Sequence, residues 1–332
     1  MLRLIQLRHP VHGRRVAVVQ NDTGHFINQF RSAYALAQWA LSSNDPLEKV
    51  VEKLTSHETL DYNAIYTGQS DWVLLPAFDH PNEPGCCLVS GTGLTHLASA
   101  KNRNAMHEKT ATITDSMRMF QWGIEGGKPK TNQIGVPPEW FYKGTGLVLK
   151  AHGQPLDAPT YADDGGEEPE IAGAYLIAPD GTPRRIGFVI GNEFADHVME
   201  KKNYLYLAPS KLRDAAIGPE LIVGAKFGDV SGTVSIERKG KTVWRKIIQT
   251  GEQNMSHSLA NLEHHHFKYA QHRHPGDVHI HFFGADAFSF GDGVALKNGD
   301  VMIVEWQGFG RPLRNPIRIN RNRDTFIAVK TI

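Results

Sequence analysis

Gly165-Gly166-Glu167-Glu168-Pro169-Glu170-Ile171-Ala172-Gly173-Ala174-Tyr175-Leu176-Ile177 is the stretch around which the chain is organised. An acidic opening runs into apolar and small residues, and the chain then turns at Pro179-Asp180-Gly181. A second apolar run, Ile186-Gly187-Phe188-Val189-Ile190, leads to Gly191-Asn192-Glu193. Two such runs joined through Asp-Gly predict a β-hairpin. Strand side chains alternate between faces, so Glu168 and Glu170 share one. A hairpin brings its open ends together, which returns Glu193 to that pair. Carboxylates converging beside an apolar sheet repel one another and need a cation between them. The same residues also read as a solvated acidic loop, and spacing alone leaves both readings open. Oxygen donors without a nearby thiolate favour Mg²⁺ or Mn²⁺, with Ca²⁺ also suited.

The motifs that follow resolve the choice. Glu168-Pro169-Glu170, Gly191-Asn192-Glu193, Ser210-Lys211 and Gly218-Pro219 occur in that order. Pro275-Gly276-Asp277, Gly299-Asp300-Val301 and Gly308-Phe309-Gly310-Arg311-Pro312-Leu313-Arg314-Asn315-Pro316 complete the series. Together, over residues 136–319, they resemble the catalytic domain of the fumarylacetoacetate hydrolase superfamily. The resemblance implies an α+β protein with a small N-terminal α/β domain and a β-rich mixed β-roll. It implies one divalent metal held by Glu168, Glu170 and Glu193, with Lys211 beside it. Glu193 stands where most members carry Asp, which moves that carboxylate by one methylene.

Composition sets wider bounds. The chain has 332 residues, 40% of them hydrophobic, and a formal net charge of +1. That is an ordinary globular composition with room for two units. Near-neutral charge gives no electrostatic case for binding nucleic acid or a membrane surface. The opening Met1-Leu2-Arg3-Leu4-Ile5-Gln6-Leu7-Arg8 is too short and too charged for a signal peptide, so a cytoplasmic enzyme is expected. Cys86 and Cys87 are adjacent and alone, which excludes a disulfide framework.

Residues 1–85 read as the small N-terminal unit, 86–135 as a linking segment that contributes to the site, and 136–332 as the catalytic domain. In the first unit, strands are predicted at 2–7, 15–19 and 24–28. A helix capped by Ser32 and a second over 45–57 should follow. The linking segment carries His96, His107 and Glu108, with helical spacing from Ser99 to Met106 and again over 114–122. The family resemblance implies a His or Glu near the metal in this region. Histidine suits proton transfer because its ordinary pKa lies near neutrality. Pro138-Glu139-Trp140-Phe141-Tyr142-Lys143 resembles a family strand whose Lys points toward the site, where Lys143 would meet a substrate carboxylate. By the same resemblance, Asn254 and Ser256 would offer polar substrate contacts. Asp196 and His197 read as supporting residues.

His257, His264, His265, His266, His272, His274, His279 and His281 crowd one region. Such density invites a zinc reading. Consecutive helical residues project about 100° apart, however, so His264, His265 and His266 cannot all face one ion. His279 and His281 share a strand face but lack further ligands, and a second metal is not expected.

The run from Glu252 to Tyr269 and Gly276-Asp277-Val278-His279-Ile280-His281-Phe282-Phe283-Gly284 resemble one branch of the superfamily. That branch acts on 2-keto-3-deoxy sugar acids in non-phosphorylating pentose catabolism and includes 2-keto-3-deoxy-L-arabonate dehydratases. The resemblance implies a hydro-lyase giving 2-oxoglutarate semialdehyde, with its proton acceptor among His96, His107, Glu108 and Lys211. Carbon–carbon hydrolysis of a 2,4-diketo acid is the alternative from the same family, and a homodimer or larger homo-oligomer is implied.

Overall fold

The structure, a computed structural model, describes residues 1–98, 100–101 and 114–332. The N-terminal strands are β1 (Leu2–His9), β2 (Gly13–Gln20), β3 (Thr23–Ile27), β4 (Thr55–Asp61) and β5 (Val73–Leu74). Next come β6 (Cys87–Gly93), β7 (Glu139–Thr145), β8 (Leu149–Lys150) and β9 (Leu156–Ala158). The central hairpin is β10 (Pro169–Ile177) and β11 (Pro183–Asn192), followed by β12 (Ala215–Val223). The chain closes with β13 (Val230–Arg238), β14 (Lys241–Thr250), β15 (Val278–Phe282), β16 (Val301–Trp306) and β17 (Leu313–Ile319). A 12-stranded sheet runs β4-β3-β2-β1-β12-β11-β10-β15-β6-β7, with β5 and β8 attached to β1 and β12. A 5-stranded sheet runs β14-β13-β16-β17-β9. The fold is α+β, as the motif series implied.

Every residue of β10 is buried, which explains its unbroken apolar reading: both of its faces are covered. Ala172, Ala174 and Leu176 pack under the helices Ala33–Ser43 and Leu47–Leu54, against Leu36, Ala37, Val50 and Val51. Ile171, Tyr175 and Ile177 face the 5-stranded sheet, against Val234, Met302, Val304 and Trp306. The β10–β11 turn sits where Asp-Gly put it. Gly181 adopts φ +79°, and Ala178 and Thr182 close the loop through a 2.9 Å backbone hydrogen bond. Glycine reaches this left-handed region without a Cβ penalty.

The N-terminal strands join the large sheet directly, because Leu2, Arg3 and Leu4 of β1 pair with Val223, Ile222 and Leu221 of β12. Ser32 caps the first helix through Ala35 N, as predicted. The second helix is shorter than the 45–57 expected. It stops at Leu54 because Thr55 starts β4, which pairs with Ile27. The predicted helix at 114–122 is Asp115–Gly126, capped by Thr114. The helical spacing between Ser99 and Met106 falls mostly outside the described residues. Among the described residues, no helix is long and apolar enough to cross a membrane.

Candidate metal centre

The open end of the β10–β11 hairpin carries the acids. Pro169 pairs with Asn192 and Glu170 with Gly191, so Glu168 and Glu193 are neighbours just beyond the last pair. Glu193 N donates to Glu168 O at 2.9 Å, and Glu168 N donates to Asn192 Oδ1 at 3.3 Å. Trp306 Nε1 fixes Glu170 O at 3.0 Å. One carboxylate oxygen from each of Glu168, Glu170 and Glu193 lies within 4.8 Å of the others, and all three residues are buried.

Two buried lysines sit among them. Lys211 Nζ donates to Glu168 Oε1 and Glu193 Oε2, both at 2.6 Å. It also lies 4.7 Å from the centre of the Phe141 ring. Lys143 Nζ donates to Glu193 Oε1 and to the carbonyls of Phe194 at 2.7 Å and Lys211 at 2.9 Å. Its side chain is buried, and burial lowers its pKa. Sequence reasoning aimed Lys143 at a substrate carboxylate. The structure instead seats it behind Glu193, because β7 alternates: Glu139, Phe141 and Lys143 turn inward while Trp140 and Tyr142 face out.

Two ammonium groups against three carboxylates leave one acid uncompensated, and that acid is Glu170. Its Oε2 accepts from Gly284 N at 2.6 Å, while its buried Oε1 has no partner. Burial, with Glu193 and Glu168 alongside, pushes the Glu170 carboxyl well above the usual range. Burial also raises Glu193, to about 7, against the pull of Lys143 and Lys211. Burial raises Glu168 too, but Lys211 and His197 outweigh it and hold the group well below the usual range. An orphaned carboxylate oxygen beside two more acids, a group made of carboxylates alone, fits a hard divalent cation. Lys211 shares Glu168 and Glu193 with any such ion.

His197 was read only as a supporting residue, and its position shows what it supports. Its Nε2 lies 3.0 Å from Glu168 Oε1. Its ring stacks on Phe288 at 4.6 Å and on Phe290 at 5.2 Å. Burial lowers the His197 pKa, but the hydrogen bond and charge of Glu168 outweigh it and leave a net rise. Asp196 caps the helix His197–Lys202 through Met199 N and pairs with Arg213 at 3.1 Å. Glu167 turns away from the triad to Ser289 N at 2.6 Å and Ser289 Oγ at 2.9 Å. The sequence reading missed the Gly284 amide and the Ser289 partner; a backbone donor carries no residue signature.

The remaining candidates among the described residues have hydrogen-bond partners other than the three acids. His96 is buried between Thr95 Oγ1 at 3.0 Å and Thr250 Oγ1 at 3.1 Å, and burial lowers it to about 3. Ser256 Oγ donates to Thr95 O at 3.2 Å. Asn254 Nδ2 donates to Asp229 Oδ1 at 2.8 Å and Thr250 O at 2.9 Å, so both polar residues hold their own loop. His107 and Glu108 lie outside the described residues. The histidine-rich region folds into a packed cluster of His266, His272, His279 and His281. Among the described residues, only the three glutamates form a group able to hold a metal ion.

No protein-family model matches the chain, and no curated protein matches it by sequence. Solved structures do. The 2-keto-3-deoxy-D-arabinonate dehydratase complexed with magnesium and 2,5-dioxopentanoate is similar at a TM-score of 0.70 and 17% identity, covering 96% of this chain and 100% of that one. The 5-carboxymethyl-2-hydroxymuconate delta-isomerase of Mycobacterium smegmatis is similar at a TM-score of 0.58 and 15% identity, covering 96% and 100%. The 2-hydroxyhepta-2,4-diene-1,7-dioate isomerase of Mycobacterium marinum gives a TM-score of 0.59 and 13% identity, covering 97% and 100%. At these identities the likeness establishes a shared fold.

Proposed function

We propose that the chain is a divalent-metal-dependent dehydratase of a 2-keto-3-deoxy sugar acid. The 2-keto-3-deoxyarabonate type, yielding 2-oxoglutarate semialdehyde, is the reading that fits best. One observation carries it: Glu168, Glu170 and Glu193 converge, buried and with an orphaned oxygen, in a fold shared with a magnesium-bound dehydratase. Mg²⁺ held by these three acids, with Mn²⁺ or Ca²⁺ as substitutes, supplies Lewis acidity that polarises the ketone of a 2-keto acid and acidifies its C3 protons.

The chain's own residues do the rest. Lys143 locks Glu193 from behind, and His197, clamped by Phe288 and Phe290, orients Glu168. Lys211 bridges Glu168 and Glu193 and brings a mobile proton to the same spot. A C3 proton leaves to the His107–Glu108 pair, or to Lys211 in its neutral amine form, and the C4 hydroxyl departs with a proton as water. A proton shift from C5 then turns the C5 alcohol into the aldehyde, with no external oxidant. His96 takes no part, because both of its ring nitrogens are already engaged.

Proton NMR of the purified protein tests this reading. The substrates are the L and D forms of 2-keto-3-deoxyarabonate and, separately, an acylpyruvate, each with Mg²⁺ and with an EDTA control. Metal-dependent formation of the semialdehyde, with deuterium entering C3 in heavy water, is the expected result. Pyruvate release from the acylpyruvate with both sugar acids untouched would replace dehydration by carbon–carbon hydrolysis.

A further inference from the structure

Residues 320–332 leave β17 without regular structure and are exposed throughout. Their last part, Thr325-Phe326-Ile327-Ala328-Val329-Lys330-Thr331-Ile332, is rich in β-branched and aromatic residues. Phe326 is 93% exposed, Ile327 80% and Val329 92%. Side chains of this kind strung together in water mark an interaction surface.

A matching patch lies at the arm's root. Asn320 N donates to Ala158 O at 3.0 Å, and Asp324 Oδ1 accepts from Thr160 Oγ1 at 3.0 Å, which starts the arm beside Tyr161. Tyr161, Leu205, Tyr206 and Leu212 are all exposed. Lys202–Asp163 at 2.6 Å and Arg213 over the Tyr161 ring at 5.1 Å tie the Tyr161 loop to the segment that carries Leu205, Tyr206 and Leu212. Tyr161 and Leu212 line a depression of about 270 Å³ that also reaches Lys143. Arm and patch are both uncovered within one chain, although the arm starts beside Tyr161.

We propose that residues 325–332 form an arm that lies across the Tyr161–Leu205–Tyr206–Leu212 patch of a second copy of this chain, each copy giving one arm and receiving one. A two-fold arrangement satisfies both surfaces at once, because an isologous interface presents the same elements from either side. Burying the arm's four large apolar side chains removes about 400 Å² from water. Two arms and the two patches they cover reach about 1,600 Å², the size of a standard stable interface. The depression ends on Lys143, which holds Glu193, so the partner's arm closes over the back of the metal centre.

The test is sedimentation and light scattering of three proteins: the full chain, a chain lacking residues 325–332, and Leu205→Asp. Thermal melts by circular dichroism confirm that each is folded. The full chain should assemble as a dimer or an even-numbered oligomer, with amides of 325–332 protected from hydrogen exchange and exposed on dilution. Deletion and Leu205→Asp should each weaken assembly, roughly tenfold to a hundredfold in dissociation constant. A monomeric full chain overturns the proposal. So does an assembly indifferent to both changes, and one weakened by the deletion alone refutes the pairing of arm with patch.

Discussion

Two buried polar clusters lie on neighbouring strands, and they are built on opposite terms. At the mouth of the β10–β11 hairpin, three carboxylates meet two ammonium groups, and Glu170 keeps an oxygen without a partner. On β15 and the helix Leu259–Phe267, imidazoles are packed with no acid to charge them. His266 Nε2 and His279 Nδ1 share a hydrogen bond of 3.0 Å, His281 Nδ1 meets Ser90 Oγ at 2.8 Å, and His266 stacks on His281 at 4.2 Å. Burial lowers His279 and His281 to about 3, and His266 well below its ordinary value, so these rings stay neutral in the fold. A density of ligand-type residues does not make a metal centre. A surplus of buried charge does.

The sharpest way to break this contrast is Glu170→Gln. Removing one of three adjacent acids relieves repulsion in the metal-free protein and takes away the uncompensated donor. Metal-dependent turnover should fall about a thousandfold, as when one preorganised electrostatic partner is lost. The thermal stabilisation that Mg²⁺ gives the unsubstituted chain should vanish, while the metal-free melting temperature holds or rises. If Glu170→Gln keeps its Mg²⁺ shift, the ion sits elsewhere. His281→Phe, in the other cluster, should leave that shift intact.

Lys143→Met attacks the compensation itself. It leaves Glu193 buried beside Glu168 with Lys211 as its one ammonium partner, and breaking one side of a buried ion pair typically costs about 3–5 kcal/mol. Urea unfolding of the metal-free protein should show a loss of that order. A loss below about 1 kcal/mol, typical of an exposed pair, would mean that solvent reaches the site.

Acid should separate the clusters next. A histidine held near 3 in the fold and near 6.5 when unfolded takes up its proton on unfolding. Its contribution is therefore complete above about 6.5 and lost progressively as pH falls from there toward 3. Each such ring removes about 1.4 kcal/mol per pH unit across that window. Urea midpoints at pH 7.5 and 5.5 should differ less in His281→Phe than in the unsubstituted chain. An equal drop in both would show that His281 is already solvated.

What the sequence could tell follows the same division. The hairpin was readable because an apolar run, an Asp-Gly turn and a second apolar run are local signals, and the return of Glu193 follows from their geometry. Lys143 was legible in part: the alternation Glu139, Phe141, Lys143 against Trp140, Tyr142 marks it as inward, though not as a partner of Glu193 fifty positions away. The Gly284 amide on Glu170 and the Ser289 amide on Glu167 were hidden, since any residue could supply them. The helix over 45–57 was overrun because Thr55 finds a strand partner in Ile27, a long-range pairing that outweighs local helical spacing.

His96 is the finest test, since its position in the chain suggested a proton acceptor and its surroundings refuse the role. Thr95 Oγ1 gives its proton to Phe283 O at 2.7 Å, so toward His96 it can only accept, and His96 Nδ1 must carry the hydrogen. His96 Nε2 then accepts from Thr250 Oγ1 at 3.1 Å, which leaves the ring with no free lone pair. A ring so placed holds the Phe283–Gly284 corner, whose amide reaches Glu170. His96→Gln should therefore cost stability, about 1–3 kcal/mol for a buried partner left unmatched. Metal-dependent kcat should stay within about tenfold and the pH profile of kcat/KM should keep its shape, whereas loss of a general base costs about a hundredfold to ten-thousandfold. A collapse of kcat with a shifted acid limb, in a variant that melts normally, would return His96 to the proton path and mean that the corner opens when substrate binds.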